Sequence, residues 1–574
     1  MNRKALQTIA VSVVTVVLCA ATVLGCFLPE GGVGGLVGPG GILEIILGGG
    51  NGNQNQGGGP DGPSADNGGN GGNGSNGGGN NDPTQNHMLH GEIPSKGDVL
   101  TVMDNNFLSR TQTTYAGING QTVDVYTFYR GVRESQNNPN FSQILMVKQC
   151  IDYKKAHPEE DVKITIGSFH FSVVLAACLD ENSPEYGHLK NLYEQDYDEE
   201  TGYYRLAYLL GEAAKMGIEV TALAHLHANP VRISESKSRA DIMFEDYYYP
   251  LLEQPAYIEG KKVGDFMTAK KFDWTSYGDQ AATDMMHLKV CTVSHYIDRD
   301  GVEHKNGAVW MGSINIDGVN YLGQNGNDSI QTAMIISGHS ELYRVTYNYC
   351  RLIAQYSRQQ DSTVFRDLVN KRAAEQIALL NNGRGHEIPY DQQIVYVGTE
   401  DDSVFELYFT PLGGLVNQWD TQNNPYCKYL QNILPQVSGG DYIEVFWNNV
   451  KYKQTNDLLD TFVEVIACAF KENPNVENNL QLYLPGLDAS GFSELEVGTN
   501  IGKKWINQRT IGYHTKDLQL SYSINGERHF VTLYNSLNMH EGSMSYQANT
   551  ILVIHETEAT GHALYTQYAV MMAP

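Results

Sequence analysis

Residues 285–294 read MMHLKVCTVS and residues 512–521 read GYHTKDLQLS. Each holds His-x-Lys and, five positions after the lysine, a serine: His287, Lys289 and Ser294 in one, His514, Lys516 and Ser521 in the other. In a strand, residues i and i+2 share a face. His287 therefore points with Lys289, and His514 with Lys516. A small polar cluster follows each copy in the next strand, Gly312-Ser313-Ile314-Asn315 in the first half and Asn535-Ser536-Leu537-Asn538 in the second. Again Ser and Asn share a face. Packed with pseudo-twofold symmetry, the two halves would bring two His, two Lys, two Ser and two Asn into one pocket.

The flanking sequence repeats in the same order. DVKITIGSFHFS (161–172) reads as a buried strand. Leu206, Leu209, Leu210, Ala213 and Ala214 recur at helical spacing, Gly217 ends that helix, and IEVTALAHL is the next strand. After an insertion come HLKVCTVSHY, a hairpin turning at Asp300-Gly301, AVWMGSIN and a long helix near 339–357. The second half offers DYIEVFWNNV (441–450) as a strand, DLLDTFVEVIACAFKEN (457–473) as a helix and NLQLYLPG (479–486) as a strand. HTKDLQLSYS, a turn at Asn525-Gly526, HFVTLYNSLN and ANTILVI complete it. Strands alternating with helices argue for α/β layers with a sheet covered on both faces.

The predicted pocket suits a phosphodiester. Two lysines and two carboxamides can hold the non-bridging oxygens and stabilise a five-coordinate phosphorus. One histidine can attack phosphorus while the other protonates the departing alcohol; the second then activates water or another alcohol to resolve the phosphohistidine. The scheme calls for no metal or other cofactor.

The pattern HxK(x)4D with GSxN or GSxxN beyond it, present twice, is the signature of the phospholipase D superfamily. HLKVCTVS with GSIN and HTKDLQLS with NSLN resemble it in both halves. The resemblance implies an α/β fold of two phospholipase D-like α/β/α sandwich lobes with pseudo-twofold symmetry, over 97–395 and 396–574. It also implies catalytic roles for His287, His514, Lys289 and Lys516, and phosphate binding by Asn315, Asn538, Ser313 and Ser536. By family habit His287 is the nucleophile.

Departures from the pattern raise a question of turnover. Ser294 and Ser521 stand where the family has Asp. Downstream of GSxN the family carries a Glu that orients the opposing histidine; the matching positions are Gln331 and Asn549. All four are assigned as orienting residues. An amide can accept a hydrogen bond from an imidazole but provides no charge, so both histidines should titrate lower. The expected function is a phosphodiesterase that cleaves or transfers phospholipid phosphodiester bonds. The alternatives are a surface protein that binds phosphodiesters without cleaving them and a secreted nuclease of the same fold.

Composition bears on the substrate. The formal net charge is −26, and residues 1–96 contribute only −3 of it, from Arg3, Lys4 and Lys96 against Glu30, Glu44, Asp61, Asp66, Asp82 and Glu92. A globular region that acidic repels polyphosphate on average, and no long basic run interrupts it. Nucleic acid is therefore disfavoured as a partner, and a monomer is expected. MNRK followed by AVSVVTVVLCAATVLGC has the layout of a secretory signal over 1–26, and Val23-Leu24-Gly25-Cys26 resembles a bacterial lipobox, with Cys26 lipidated. Residues 27–96 are Gly- and Asn-rich and read as a flexible linker. Export and a lipid anchor on the extracytoplasmic side of the cell membrane are expected.

Of the remaining cysteines, Cys150, Cys178, Cys291, Cys350, Cys427 and Cys468 form neither a zinc pattern nor a dense disulfide framework. His225 and His227 share a strand face and could line the pocket, bind a metal with His170, or be ordinary strand histidines. Trp274 and Tyr277 could form a rim for an acyl chain or be surface aromatics of an inserted loop. Asp457, Asp460 and Glu464 read as a solvated helix face.

Overall fold

The structure is a computed structural model. It describes residues 112–130, 139–169, 171, 206–225, 232–234, 237–238, 242–272, 274, 285–298, 300–316, 329–358, 361–412, 429, 433, 436–437, 441, 443–447, 480–483, 505–506, 512–538 and 541–572. The signal, Cys26, the linker, Cys178, Cys427, Cys468, His170, His227, Tyr277 and the helix expected at 457–473 lie outside the described residues.

The first lobe starts with a hairpin, β1 (Gln112–Ile118) and β2 (Gln121–Arg130), turning at Asn119 and Gly120. Both turn residues have positive φ, 47° and 75°, as a two-residue turn between right-twisted strands requires. There follow α1 (Pro139–Ala156), β3 (Lys163–Ser168), α2 (Leu206–Lys215), β4 (Glu219–His225), β5 (Met267–Phe272), β6 (Lys289–Val293), β7 (Ala308–Gly312), β8 (Ser329–Ser337), α3 (Ser340–Ile353) and α4 (Ser362–Asn381). The expected helix at 206–215 ends where Gly217 takes φ 82°, and a hairpin joins Tyr296–Ile297 to Glu303–His304 through Gly301. The second lobe comprises β9 (Phe405–Phe409), β10 (Ile443–Trp447), β11 (Leu480–Tyr483), β12 (Trp505–Ile506), β13 (Gly512–Tyr513), β14 (Lys516–Ile524), β15 (Glu527–Asn535), β16 (Thr550–Thr557) and α5 (Ala563–Met572).

Two large sheets result, and their strand orders coincide over the matched strands. The first runs β1-β2-β8-β7-β6-β3-β4-β5 and the second β9-β16-β15-β14-β10-β11-β12. Setting β8 on β16, β7 on β15, β6 on β14, β3 on β10, β4 on β11 and β5 on β12 matches every neighbour. It also matches every direction: β3–β4–β5 and β10–β11–β12 are parallel, and the other matched pairs are antiparallel. The chain is thus a two-lobed α/β protein with internal pseudo-symmetry.

Period-two alternation sends the faces of the first sheet to different partners. Ile164, Ile166, Val220, Ala222, Cys291 and Trp310 pack on α1 and α2, where Trp310 Nε1 donates to Ser142 Oγ at 2.7 Å. Leu223, Val290, Val309 and Met311 face the other way, with α3, α4 and the second sheet's Leu518, Leu520 and Val531 in one continuous core. The lobes therefore share a hydrophobic interior. Backbone hydrogen bonds cross between them: β13 pairs parallel with β8, Met286 bridges Ala548, and Asn119 N donates to the Asp401 carbonyl at 3.2 Å.

Trp274 is not a rim residue. It is 1% exposed, packs on Phe272 and Phe365, and its Nε1 donates to the Tyr356 carbonyl. The indole is large enough that the shared core claims it. Cys150, Cys291 and Cys350 are free and buried, and burial pushes all three thiols up, which leaves them protonated and inert.

Candidate functional site

Each His-x-Lys stands where one sheet enters the interlobe region. Lys289 opens β6 and Lys516 opens β14, whereas both histidines lie just before the strand. His287 is fixed there by its N–H, which donates to the Ala548 carbonyl of the other lobe at 2.9 Å. Pairing with a foreign strand, rather than the home sheet, sets its side-chain direction.

The two histidines are held by a reciprocal clasp. His287 Nδ1 donates to Asn549 Oδ1 at 2.7 Å, and Asn549 immediately precedes β16. His514 Nδ1 donates to Gln331 Oε1 of β8 at 2.9 Å and to the Ser313 carbonyl at 3.0 Å. Each ring is oriented by an amide from the opposite lobe. The amides are in turn held by the serines of the polar clusters: Ser313 Oγ donates to Gln331 Oε1 at 2.9 Å and Ser536 Oγ to Asn549 Oδ1 at 3.3 Å. Thr332 N and Thr550 N donate to the same serine oxygens. Ser313 and Ser536, both fully buried, thus hold the amide oxygens.

The far end of Asn549 shows why it is an amide. Its Nδ2 donates to the Ser543 carbonyl at 3.0 Å and its backbone N–H donates to Thr410 Oγ1. An aspartate would set a second oxygen against that carbonyl. Because the amide oxygen accepts, Nδ1 carries the imidazole proton and Nε2 keeps its lone pair. The lone pair of His287 faces Lys289 Nζ at 3.3 Å.

The electrostatics follow from burial and crowding of cations. His287 is held well below the ordinary histidine value, first by burial, then by Lys289 and Lys516 and also by His514; the Asn549 hydrogen bond pulls the other way and loses. The cross-lobe hydrogen bonds from His287 to Asn549 and from His514 to Gln331 and the Ser313 carbonyl bring the two half-sites together. Burial also pulls Lys516 down to about 7, opposed by the neighbouring Asp517. Each lysine additionally donates to the carbonyl of its own histidine, Lys289 at 3.2 Å and Lys516 more closely. Asn315 is 4% exposed and Asn538 half-buried; Asn538 Oδ1 has no hydrogen-bond partner among the described residues.

Ser294 and Ser521 are not orienting residues. Ser294 lies at the far end of β6, roughly 20 Å along the chain from His287 at strand rise. Its Oγ accepts from Lys163 N at 2.8 Å and bonds His295 Nδ1 at 2.8 Å. Ser521 pairs across to Phe530 and accepts from Arg528 Nη2 at 3.2 Å. A side chain seven residues along an extended strand cannot reach the imidazole.

Sequence reasoning passed over Phe169. It follows β3, its ring lies 4.9 Å from that of His287 and 5.2 Å from that of His225, and Lys289 Nζ stands 5.7 Å from its centroid. The carboxyl end of a parallel strand next to the crevice is where such a residue is expected. His225 is buried at the end of β4, where its Nδ1 accepts from Met286 N at 3.4 Å. Among the described residues no group of three or more His, Cys, Asp or Glu is placed to hold a metal ion. Nor is any described helix long and apolar enough to cross a membrane.

No family model and no curated protein sequence matches the chain. Among solved structures, it is similar to a phosphatidylserine synthase from Haemophilus influenzae Rd KW20, with 10% identity and a TM-score of 0.40 over 83% of this chain and 90% of that one. It is also similar to a polyphosphate kinase from Porphyromonas gingivalis, with 9% identity and a TM-score of 0.34 over 75% of this chain and 44% of that one.

Proposed function

We propose that the protein is a phosphodiesterase that cleaves or transfers phospholipid phosphodiester bonds through a phosphohistidine. The observation that carries this reading is the reciprocal clasp, in which each lobe's histidine is oriented by the other lobe's amide. His287 Nε2, neutral and bearing its lone pair, attacks phosphorus as the P–O bond to the leaving alcohol breaks. His514 gives its proton to that alcohol oxygen. It then takes a proton from water or a second alcohol, whose oxygen displaces His287 from phosphorus. Lys289, Lys516, Asn315 and Asn538 receive the non-bridging oxygens, and the two serine–amide pairs keep both rings in register.

Phospholipid is favoured because the chain is strongly acidic and because a lipid anchor at Cys26 would hold it at a membrane. Binding without turnover is the second reading, supported by the neutral amides at Gln331 and Asn549, which give no charge to an imidazolium. Incubation with labelled phosphatidylcholine and with single-stranded DNA separates these readings. Release of labelled head group by the wild type, lost in both His287→Ala and His514→Ala, supports the proposal. Turnover that survives both substitutions would defeat the shared-pocket mechanism, and tight binding without product would favour the second reading.

A further inference from the structure

The pseudo-symmetry breaks at one buried position. The residue after Lys289 is Val290, part of the apolar core, but the residue after Lys516 is Asp517, with no exposed surface. Its Oδ1 accepts from Asn535 N at 3.1 Å; its Oδ2 accepts from Thr332 Oγ1 at 3.4 Å and, more closely, from Tyr568 Oη of α5. Every one of these contacts adjoins a site residue except the last. Asn535 precedes Ser536, Thr332 follows Gln331, and Asp517 follows Lys516. Asn535 also donates through Nδ2 to the Lys516 carbonyl. One carboxylate thus ties β14, β15 and the first lobe's β8 together at the points from which the His514 half-site is built.

We infer that Asp517 is the positioning residue and internal counter-charge of the second half-site, holding Lys516 charged and Gln331 in place so that an anionic phosphate is gripped from that side. The inference rests on the phosphodiester reading and deepens it. Lone burial of a carboxylate is costly, and such a group persists when it is hydrogen-bonded, as Asp517 is by Asn535, Thr332 and Tyr568. Among the described residues, the titratable groups that bear on it besides Lys516 are Tyr534 of β15 and Tyr568 of α5. Burial pushes Asp517 up to about 7, against the pull of Tyr568, Asn535 N–H, Lys516 and Thr332. Its charge favours the ammonium form of Lys516, whose own value burial has brought to about 7. Removing the carboxylate therefore lowers the pH up to which Lys516 stays charged.

Sulfate binding by the full chain, titrated calorimetrically from pH 5.5 to 9, reads this directly, because sulfate keeps its charge over that range. Wild type should bind with an upper pH limit. In Asp517→Asn that limit should move down by about one pH unit or more, with affinity at pH 7.5 lower by about tenfold and recovering on acidification. Tyr568→Phe keeps the carboxylate but removes a donor that favours its ionised form. It should move the limit in the same direction by less, and it serves if Asp517→Asn does not fold. A purely structural role would lower the melting temperature of either variant without moving the limit; that result overturns the inference while leaving the phosphodiester reading intact. Failure of wild type to bind sulfate and to release head group overturns both.

Discussion

Replacing Asn549 by Asp restores a carboxylate beside His287 and isolates what the amide does. The contact is 2.7 Å between Nδ1 and Oδ1, and both partners are buried. A carboxylate about 4 Å from the imidazolium centre, at an effective dielectric of about 20, attracts it by about 4 kcal/mol. At about 1.36 kcal/mol for each pH unit, this raises the titration midpoint of His287 by about 3 units. The cost appears on the other side of the residue, where Asn549 Nδ2 no longer donates to the Ser543 carbonyl. That buried carbonyl then faces an oxygen, which destabilises the fold by about 1–3 kcal/mol. Carbon-13 and nitrogen-15 NMR of the histidine rings reads the first effect, and urea unfolding the second. His514 is the internal reference, since it bonds Gln331 and not Asn549. In Asn549→Asp the acid limb of the turnover profile should climb with His287, because the protonated ring has no lone pair to offer phosphorus. A His287 midpoint that moves by less than one pH unit, or moves equally with that of His514, would refute the orienting contact and the charge argument together.

Two further expectations concern the fold around the site. His287 is buried and held below its ordinary value, so below about pH 6.5 the unfolded chain takes up a proton that the folded chain refuses. Stability should then fall with decreasing pH at about 1.4 kcal/mol per unit from this group alone; His287→Asn should lack that component in urea titrations between pH 6.5 and 4.5, and an unchanged slope would count against a neutral buried ring. Gly338, between β8 and α3, has φ 85°, and a Cβ there would stand 2.4 Å from the Thr122 carbonyl oxygen. Gly338→Ala should cost at least about 2 kcal/mol, whereas Gly120→Ala, also at positive φ but with nothing within 4 Å, should cost less on the same denaturation assay.

The strands and their order were legible because a sheet buried on both faces must be written in apolar runs, and both halves are written alike. KITIGS, EVTALAH and KVCTV are such runs, and the turns at Asp300-Gly301 and Asn525-Gly526 lie where the sequence places them. The His-x-Lys and Ser-x-Asn pairs stood out by their repetition, but strand period does not set their directions: both histidines precede their strands, and Ser313, Asn315, Ser536 and Asn538 follow theirs. Their supports were harder to see. Gln331 and Asn549 could be named through resemblance, but nothing in a strand pattern shows that each reaches the other lobe's histidine. The Thr410 hydroxyl and Ser543 carbonyl that hold Asn549 come from distant segments and leave no local signal. Ser294 and Ser521 were misread because motif spacing was taken for spatial proximity, which an extended strand contradicts. Asp517 was hidden for a different reason. Alternation turns it away from Lys516, and its partners lie on β8, β15 and α5.

The neutral amides and the single added carboxylate make sense as one balance of charge. Lys289 and Lys516 bear on His287, each imidazole donates to an amide oxygen, and the carboxylate that acts on Lys516 is that of Asp517. On the phosphodiesterase reading, the empty site is then too cationic to keep His287 protonated, which leaves the attacking nitrogen ready before substrate arrives. A bound phosphate diester brings the missing negative charge and favours protonation of the groups it touches, so the proton that the leaving alcohol needs is acquired on binding. Carboxylates beside both rings would protonate them in advance and blunt that coupling. Decay toward an inert binder gives no reason for the far end of Asn549 to be used as a donor, nor for Ser313 and Ser536 to hold the amide oxygens in the same way in both lobes. On that same reading the matched contacts belong to a site that runs on substrate-induced protonation, and its difference from a carboxylate-assisted site lies in its pH profile.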